Sequence, residues 1–283
     1  MDENPDFLNG KRVAIVGLGL IGGSLAMALR GHVGRLLGID RDDHVLALAK
    51  EGRVVDEVSA DPGCLLPSAD LIILAMPVRA ILQALATLPD YCPGPAVVMD
   101  VGSTKAEIVT AMASLPTRFD PIGGHPMAGK ERLSLANAEP GLFRGAPFAL
   151  TPLPRTSQRA RDLASQICQV VGGHALVLDP DNHDRWVAAT SHLPYLVSSA
   201  LMLSMPDDSA PMMGPGFRSS TRLAATPPAM MLDVLSTNPQ HIRVAIARLR
   251  DELDRMDELL LRGDFAALGE LLSSARDKKE RLP

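Results

Sequence analysis

The sequence predicts an α/β chain in two parts, an open and mostly parallel sheet covered by helices followed by an all-helical part. Three observations carry this. Short apolar runs recur through the first two thirds at Val13 to Val16, Leu36 to Ile39, Leu71 to Ala75, Val97 to Met99, Phe119 to Ile122, Phe148 to Leu150 and Ala175 to Leu178. Helical patterns such as Ile21 to Arg30 and Val45 to Lys50 lie between them, and that alternation is the signature of parallel strands joined by crossover helices. After Asp179 the strand-like runs stop, and Ile242, Ile246, Leu249, Leu253, Met256 and Leu260 follow one another at alternating steps of four and three.

The first run is followed at once by Gly17, Gly19 and Gly22, a G-x-G-x-x-G at the mouth of an apolar helix. In a strand-turn-helix the first glycine permits the turn, the second lets the backbone approach a pyrophosphate and the third lets helix and strand pack closely. The free N–H groups and partial positive charge of the helix start favour the phosphates. Asp40 ends the second run 23 positions after Gly17, the offset expected of a carboxylate that holds a ribose hydroxyl. The expected cofactor-binding residues are therefore Gly17, Leu18, Gly19, Leu20, Ile21, Gly22, Asp40 and Arg41, with Met76 and Pro77 after the third run. Asp40 would repel a 2′-phosphate and points to NAD, while Arg41 beside it leaves NADP open.

The middle of the chain carries four polar segments: D-V-G-S-T-K (100 to 105), G-G-H-P-M-A-G-K-E (123 to 131), T-S-H-L-P-Y (190 to 195) and G-F-R-S-S-T-R (216 to 222). Ser103 should lie at a carboxyl end of the sheet, where ligands bind in open α/β folds, and it also reads as a cap for a helix from Lys105 to Ala111. His125 falls between glycines and a proline and reads as a loop residue able to meet a substrate; an imidazole titrating near neutrality suits removal of a hydroxyl proton. His192 has two readings, a site residue or a satisfied core histidine. Arg218 and Arg222 are four apart, on one face if helical, and present guanidinium groups either to a carboxylate or to solvent.

In the helical part, Asn238 and Pro239 read as cap and first-turn proline of the seam helix, and Gly263 and Asp264 as its end and the start of the next. The seam packs either within the chain or against a second copy. Pro206 to Gly216 reads as a loop. The expected division is 1–178 for a dinucleotide-binding domain and 179–283 for a helical domain.

Composition narrows the function classes. The chain has 283 residues, 46% hydrophobic and 22% charged, so a folded core and no long disordered region are expected. A net charge of -5 disfavours nucleic acid as a partner. Cys64, Cys92 and Cys168 form no spaced metal or disulfide set, and no metal is expected. The acidic start does not read as a signal peptide, and the most apolar stretch, Leu71 to Ala86, is short and broken by Pro77 and Arg79; a cytoplasmic enzyme without a membrane span is expected.

The four segments in this order behind the glycine loop resemble the prephenate and arogenate dehydrogenases of tyrosine biosynthesis, from about Lys11 to the last helices. The resemblance implies a Rossmann domain followed by a helical dimerisation domain, a homodimer, and a site between the domains. It implies oxidative decarboxylation of prephenate or arogenate with NAD, His125 taking the ring hydroxyl proton and Ser103 orienting its imidazole. Arg222 would bind a substrate carboxylate, His192 would line the site, and Lys130 and Glu131 would stand at its entrance with Arg218 nearby. Ser219 stands where many relatives carry an acid, and Met230 and Met231 lie where a tryptophan is common, which bears on the substrate side chain. An end at Pro283 leaves no span for a fused mutase, so feedback by tyrosine would act at the active site. Rival readings are a 3-hydroxy acid dehydrogenase or imine reductase on the same plan, which would want a lysine in the T-S-H-L-P-Y helix, and a cofactor-binding sensor without turnover.

Overall fold

A computed structural model describes residues 7–130 and 134–282 of the chain. The first part runs β1 (Arg12–Val16), α1 (Leu20–Leu29), β2 (Arg35–Ile39), α2 (Asp43–Glu51), β3 (Glu57–Ser59), α3 (Pro62–Leu65), β4 (Leu71–Leu74), α4 (Val78–Tyr91), β5 (Ala96–Asp100), α5 (Ala106–Ala113), β6 (Phe119–Pro126), β7 (Pro147–Pro152), α6 (Gln158–Val170) and β8 (His174–Val177). The strands form one sheet in the order β3-β2-β1-β4-β5-β6-β7-β8, with β7 antiparallel to β6 and every other pairing parallel. The order turns back between β1 and β4, the switch point where such sheets open a ligand crevice at their carboxyl edge.

Both faces of the sheet are buried at its centre, whereas all four residues of β8 at its end are exposed. Val13 and Ile15 of β1 join one core cluster with Leu25, Leu29, Phe143 and Phe148, while Ala14 and Val16 join another with Ile81, Leu85, Ile108 and Phe119. That explains the unbroken apolar runs, because a strand covered on two sides has no polar face to alternate. Each fully buried Leu, Ile or Phe contributes about 1.5–3 kcal/mol, so the sheet centre is the firmest part of the molecule. The one strand without an apolar run is β3, whose residues E-V-S are only half-buried at the sheet edge.

From Pro180 the described chain is helical: α7 (Pro180–Val187), a π-helical turn at Ala188–His192, α8 (Leu193–Ser204), α9 (Pro215–Ser220), α10 (Pro228–Ser236), α11 (Pro239–Arg262) and α12 (Phe265–Arg281). The two-part reading is borne out. Where a loop was expected, Asp207–Met212 forms a 3₁₀ turn and Gly214 caps α9. Asn238 and Pro239 do start α11 and Gly263 ends it in the left-handed conformation, φ 65°, but the Asn238 amide makes no cap hydrogen bond because it is drawn elsewhere. The apolar seam of α11 divides in two: Ile242 is buried, whereas Leu253 and Leu260 are each 54% exposed. Among the described residues no helix is long and apolar enough to cross a membrane.

Candidate active site

The glycine loop closes the switch point by backbone contact. Gly17 has φ +93° and no room for a side chain, since a Cβ there would lie 2.6 Å from the Ala75 carbonyl oxygen and 2.7 Å from Met76 Cγ. A Cβ on Gly22 would lie 1.9 Å from the Gly17 carbonyl oxygen, so helix and loop touch backbone to backbone. Gly19 caps α1 without a side chain. The first N–H groups of that ten-residue helix, Leu20 to Gly22, have no partner within the helix, an arrangement that suits a pyrophosphate. Asp40 sits beside the loop, its two oxygens accepting from Leu18 N at 2.8 Å and Asp42 N at 3.0 Å, with lone pairs left for ribose hydroxyls. Arg41 and Pro77 are exposed and Met76 half-buried.

Farther along the same carboxyl edge, at the ends of β5 and β6, lies a cluster of buried polar groups. His125 is not in a loop: it is the seventh residue of β6 and pairs with Ala149 of β7. The glycines before it serve close packing rather than a turn. A Cβ on Gly123 would fall 2.1 Å from Thr151 Oγ1, and one on Gly124 2.6 Å from Met99 Cε.

The His125 ring is half-buried and edge-on to His183 of α7, with Nδ1 2.9 Å from His183 Nε2 and the rings at 65°. His183 Nδ1 lies 2.8 Å from Asp184 Oδ1. The Asp184 carboxylate also accepts from the backbone N–H groups of Lys105 at 2.7 Å and Ala106 at 2.9 Å, and so caps α5 from the other domain. Ser103 therefore neither caps that helix, which starts at Ala106 with Lys105 as its cap position, nor hydrogen-bonds His125 among the described residues.

Lys105 is fully buried; its ammonium pairs with Asp100 and donates to the Gly124 carbonyl oxygen at 2.6 Å. Burial pushes the Asp100 carboxyl up and the Lys105 ammonium down from their usual values, against the attraction between them. Burial holds His125 well below the usual histidine value, with His183, Lys105 and His192 pushing the same way. The ring is thus neutral near pH 7, the form that accepts a proton.

His192, 2% exposed, closes the π-helical turn. Its Nδ1 accepts from Asn238 Nδ2 at 3.4 Å, and that amide also donates to the Asp184 carbonyl oxygen at 2.7 Å. Burial lowers His192 to about 4, with Asp184 opposing and His183 assisting. His192 is thus a buried, hydrogen-bonded histidine, and its partner Asn238 also bonds the Asp184 carbonyl oxygen.

The arginines do not share one helix face. The six-residue α9 ends at Ser220, so exposed Arg218 belongs to it while exposed Arg222 opens a separate 3₁₀ turn. Exposed Lys130 donates to the Asn137 carbonyl oxygen at 3.1 Å and pairs with Glu139 at 2.9 Å, tying down its own loop. Glu131 lies outside the described residues.

Sequence reasoning missed His183, Asp184, Asn238, Asp100 and the role of Lys105. A signal was present for the first two: an imidazole beside a carboxylate at the start of the helix that follows the last strand, where the chain crosses between domains.

The prephenate dehydrogenase nucleotide-binding domain matches residues 25–177, and the prephenate dehydrogenase dimerization domain matches 179–274. The prephenate dehydrogenase of Bacillus subtilis is 31% identical over 281 residues, 96% of this chain and 76% of that protein. This chain belongs to the prephenate dehydrogenase family. Among solved structures of the family, that of A. aeolicus prephenate dehydrogenase with hydroxyphenyl propionate and NAD+ superposes with a TM-score of 0.90 at 28% identity, covering 98% of this chain and 99% of that one. Synechocystis arogenate dehydrogenase superposes at 0.84 with 30% identity over 95% and 99% of the two chains.

Proposed function

We propose that the chain catalyses the NAD-dependent oxidative decarboxylation of prephenate to 4-hydroxyphenylpyruvate. The observation that carries this is the end-to-end similarity to an enzyme crystallised with NAD+ and hydroxyphenyl propionate, a phenol with a carboxylated side chain like the product's. NAD, when bound, supplies the hydride acceptor at the crevice framed by Gly17, Gly22 and Asp40. His125 Nε2 takes the proton of the ring hydroxyl, which prepares the ring carbon to give up hydride. Loss of the ring carboxylate then makes the ring aromatic, so the driving force lies in the substrate and the protein's share is orientation and electrostatics. Arg222 meets a substrate carboxylate, Arg218 and Lys130 add positive charge at the mouth, and Ser103 and His192 border the site without touching the His125 ring. Residues 1–178 form the cofactor domain and 179–283 the helical one.

Two copies of the chain pair through the helical part in a cytoplasmic homodimer. The exposed half of the α11 seam supports this, with Leu253 and Leu260 at 54% and Leu261 at 86% exposed and Phe265 of α12 at 69%. A second reading, arogenate as substrate, is favoured by the similarity to the Synechocystis enzyme.

Following reduced-cofactor formation with prephenate and arogenate, each with NAD and NADP, tests these readings together. Prephenate with NAD should be fastest, a preference for arogenate would select the second reading, and silence in all four would end both. His125→Asn should abolish turnover while NAD still binds. Arg222→Ala should raise KM at least about tenfold, the loss of one carboxylate contact of ~1.4 kcal/mol.

A further inference from the structure

We propose that His183 and Asp184 form a positioning pair that sets the tautomer of His125 and leaves its Nε2 as the bare, proton-accepting nitrogen, an inference that rests on the reading of His125 as the base. The argument starts from Asp184. A carboxylate has only acceptor sites, and among the described residues its hydrogen-bond partners are nitrogens: Lys105 N and His183 Nδ1 at Oδ1, Ala106 N at Oδ2. The two backbone N–H groups at the start of α5 hold the carboxylate in place, so His183 must bring the hydrogen on Nδ1. A neutral imidazole carries one N–H, which makes His183 Nε2 an acceptor. That acceptor stands 2.9 Å from His125 Nδ1, so the hydrogen between the rings belongs to His125 Nδ1. His125 Nε2 is left with its lone pair.

The order matters for the chemistry. When the substrate O–H bond breaks and an Nε2–H bond forms, His125 becomes an imidazolium whose Nδ1–H still points at His183 Nε2, with the Asp184 carboxylate behind it. The positive charge is stabilised along the line of the three residues, the logic by which a buried carboxylate holds a catalytic imidazole in one tautomer. His183 and Asp184 are each 1% exposed, so water does not compete for these bonds. Burial, the largest cause of its lowered value, leaves the His125 ring neutral before it takes the proton.

Proton–nitrogen correlation NMR on the full chain labelled in histidine reads the tautomers directly, His125 being assigned by its disappearance in His125→Asn. The expected spectrum has His125 and His183 both protonated at Nδ1 and bare at Nε2; a bare Nδ1 on His125 overturns the proposal whether or not any variant folds. His183→Leu removes the acceptor and should lower kcat at least about tenfold with KM changed less than about twofold, while His183→Gln, whose amide oxygen replaces Nε2, should restore most of the rate. An unchanged kcat in His183→Leu, or equal losses in both variants, overturns it. Turnover retained in His125→Asn would overturn the base reading and with it the catalytic half of the proposal, and the tautomer spectrum still decides the other half.

Discussion

The carboxyl edge of the sheet carries two sites built in opposite ways. The crevice between β1 and β4 is made of backbone: glycines that touch carbonyl oxygens, helix N–H groups and a carboxylate held by two amides. The cleft over β5 and β6 is made of side chains that come from Asp100 and Lys105, His125, His183 and Asp184, and Asn238. A backbone site needs only its own strand-turn-helix to be right. The side-chain site exists only when the helical part is docked, because Asp184 caps α5 and Thr104 bonds Thr237 at 2.8 Å across the same join.

The largest break expected in the second site is Lys105→Met. Removing one partner of a buried ion pair leaves the other charge uncompensated, so urea unfolding should show a loss of about 3–5 kcal/mol. Asp100 keeps N–H contacts from Gly102 at 2.8 Å and Gly124 at 3.2 Å, which sets a limit on the damage. Asp100→Asn combined with Lys105→Met should be less destabilised than Lys105→Met alone. Equal losses would mean that the pair is not coupled.

His192 offers a pH-dependent version of the same test. In the folded protein it titrates at about 4 against 6.5 for a free histidine, so the unfolded chain takes up the proton first. The stability it supports is complete above pH 6.5 and is lost as pH falls toward 4, by about 2 kcal/mol near pH 5 and roughly 3 kcal/mol at the acid end. His125 acts in the same direction and Asp100, raised by burial, acts against it. The informative quantity is therefore the difference from His192→Asn, which keeps an acceptor for Asn238. The variant should flatten the fall in stability between pH 7 and pH 5; parallel curves would show that His192 does not carry it.

The same division explains what could be read from the residues. The parallel sheet, the glycine loop, Asp40 and the helical second part are each encoded within a short stretch by periodicity, glycine sterics and one carboxylate offset, and each was legible. Those same cues misplaced His125. Gly123 and Gly124 look like a turn but are strand glycines that let β6 pass over Thr151 and Met99, a demand set by a neighbouring strand that no local pattern records. Ser103 was read as a cap for α5, a place that Asp184 fills, because Asp184 lies about 80 positions away in a helix whose docking the sequence does not display. The family resemblance singled out His125 without revealing what it bonds to.

In the backbone site the sharpest test is Gly22→Ala. The added Cβ, 1.9 Å from the Gly17 carbonyl oxygen, must push α1 away from the loop. NAD binding measured by calorimetry should weaken at least about a hundredfold, equivalent to ~2.7 kcal/mol, with about 1–3 kcal/mol lost from folding. The His125 tautomer should not change, since the partner of its ring, His183, and Asp184 behind it lie on α7. A changed tautomer would mean that the two sites are mechanically one.

The smallest effect concerns the join itself, at a place where the two kinds of construction meet. The start of α4 has Pro77 at its cap position and no local side-chain cap; the carboxylate of Asp233 in α10 takes that role, accepting from Arg79 N at 3.2 and 3.3 Å. Arg79 Nε also lies 3.7 Å from Asp233, but its side chain is 63% exposed, so that ion pair contributes little in water. The cap is the larger share, and Asp233→Ala should cost about 1 kcal/mol. Asp233→Asn keeps an amide oxygen for the Arg79 N–H and should lose only part of that. Equal losses would assign the contribution to charge after all. Because Asp233 and Asp184 cap neighbouring helices from the same domain, Asp233→Ala should also loosen the histidine cleft slightly, seen as faster amide exchange at Lys105 and Ala106 with the glycine loop unaffected. Exchange confined to α4 would show that Asp184 docks the helical part without help.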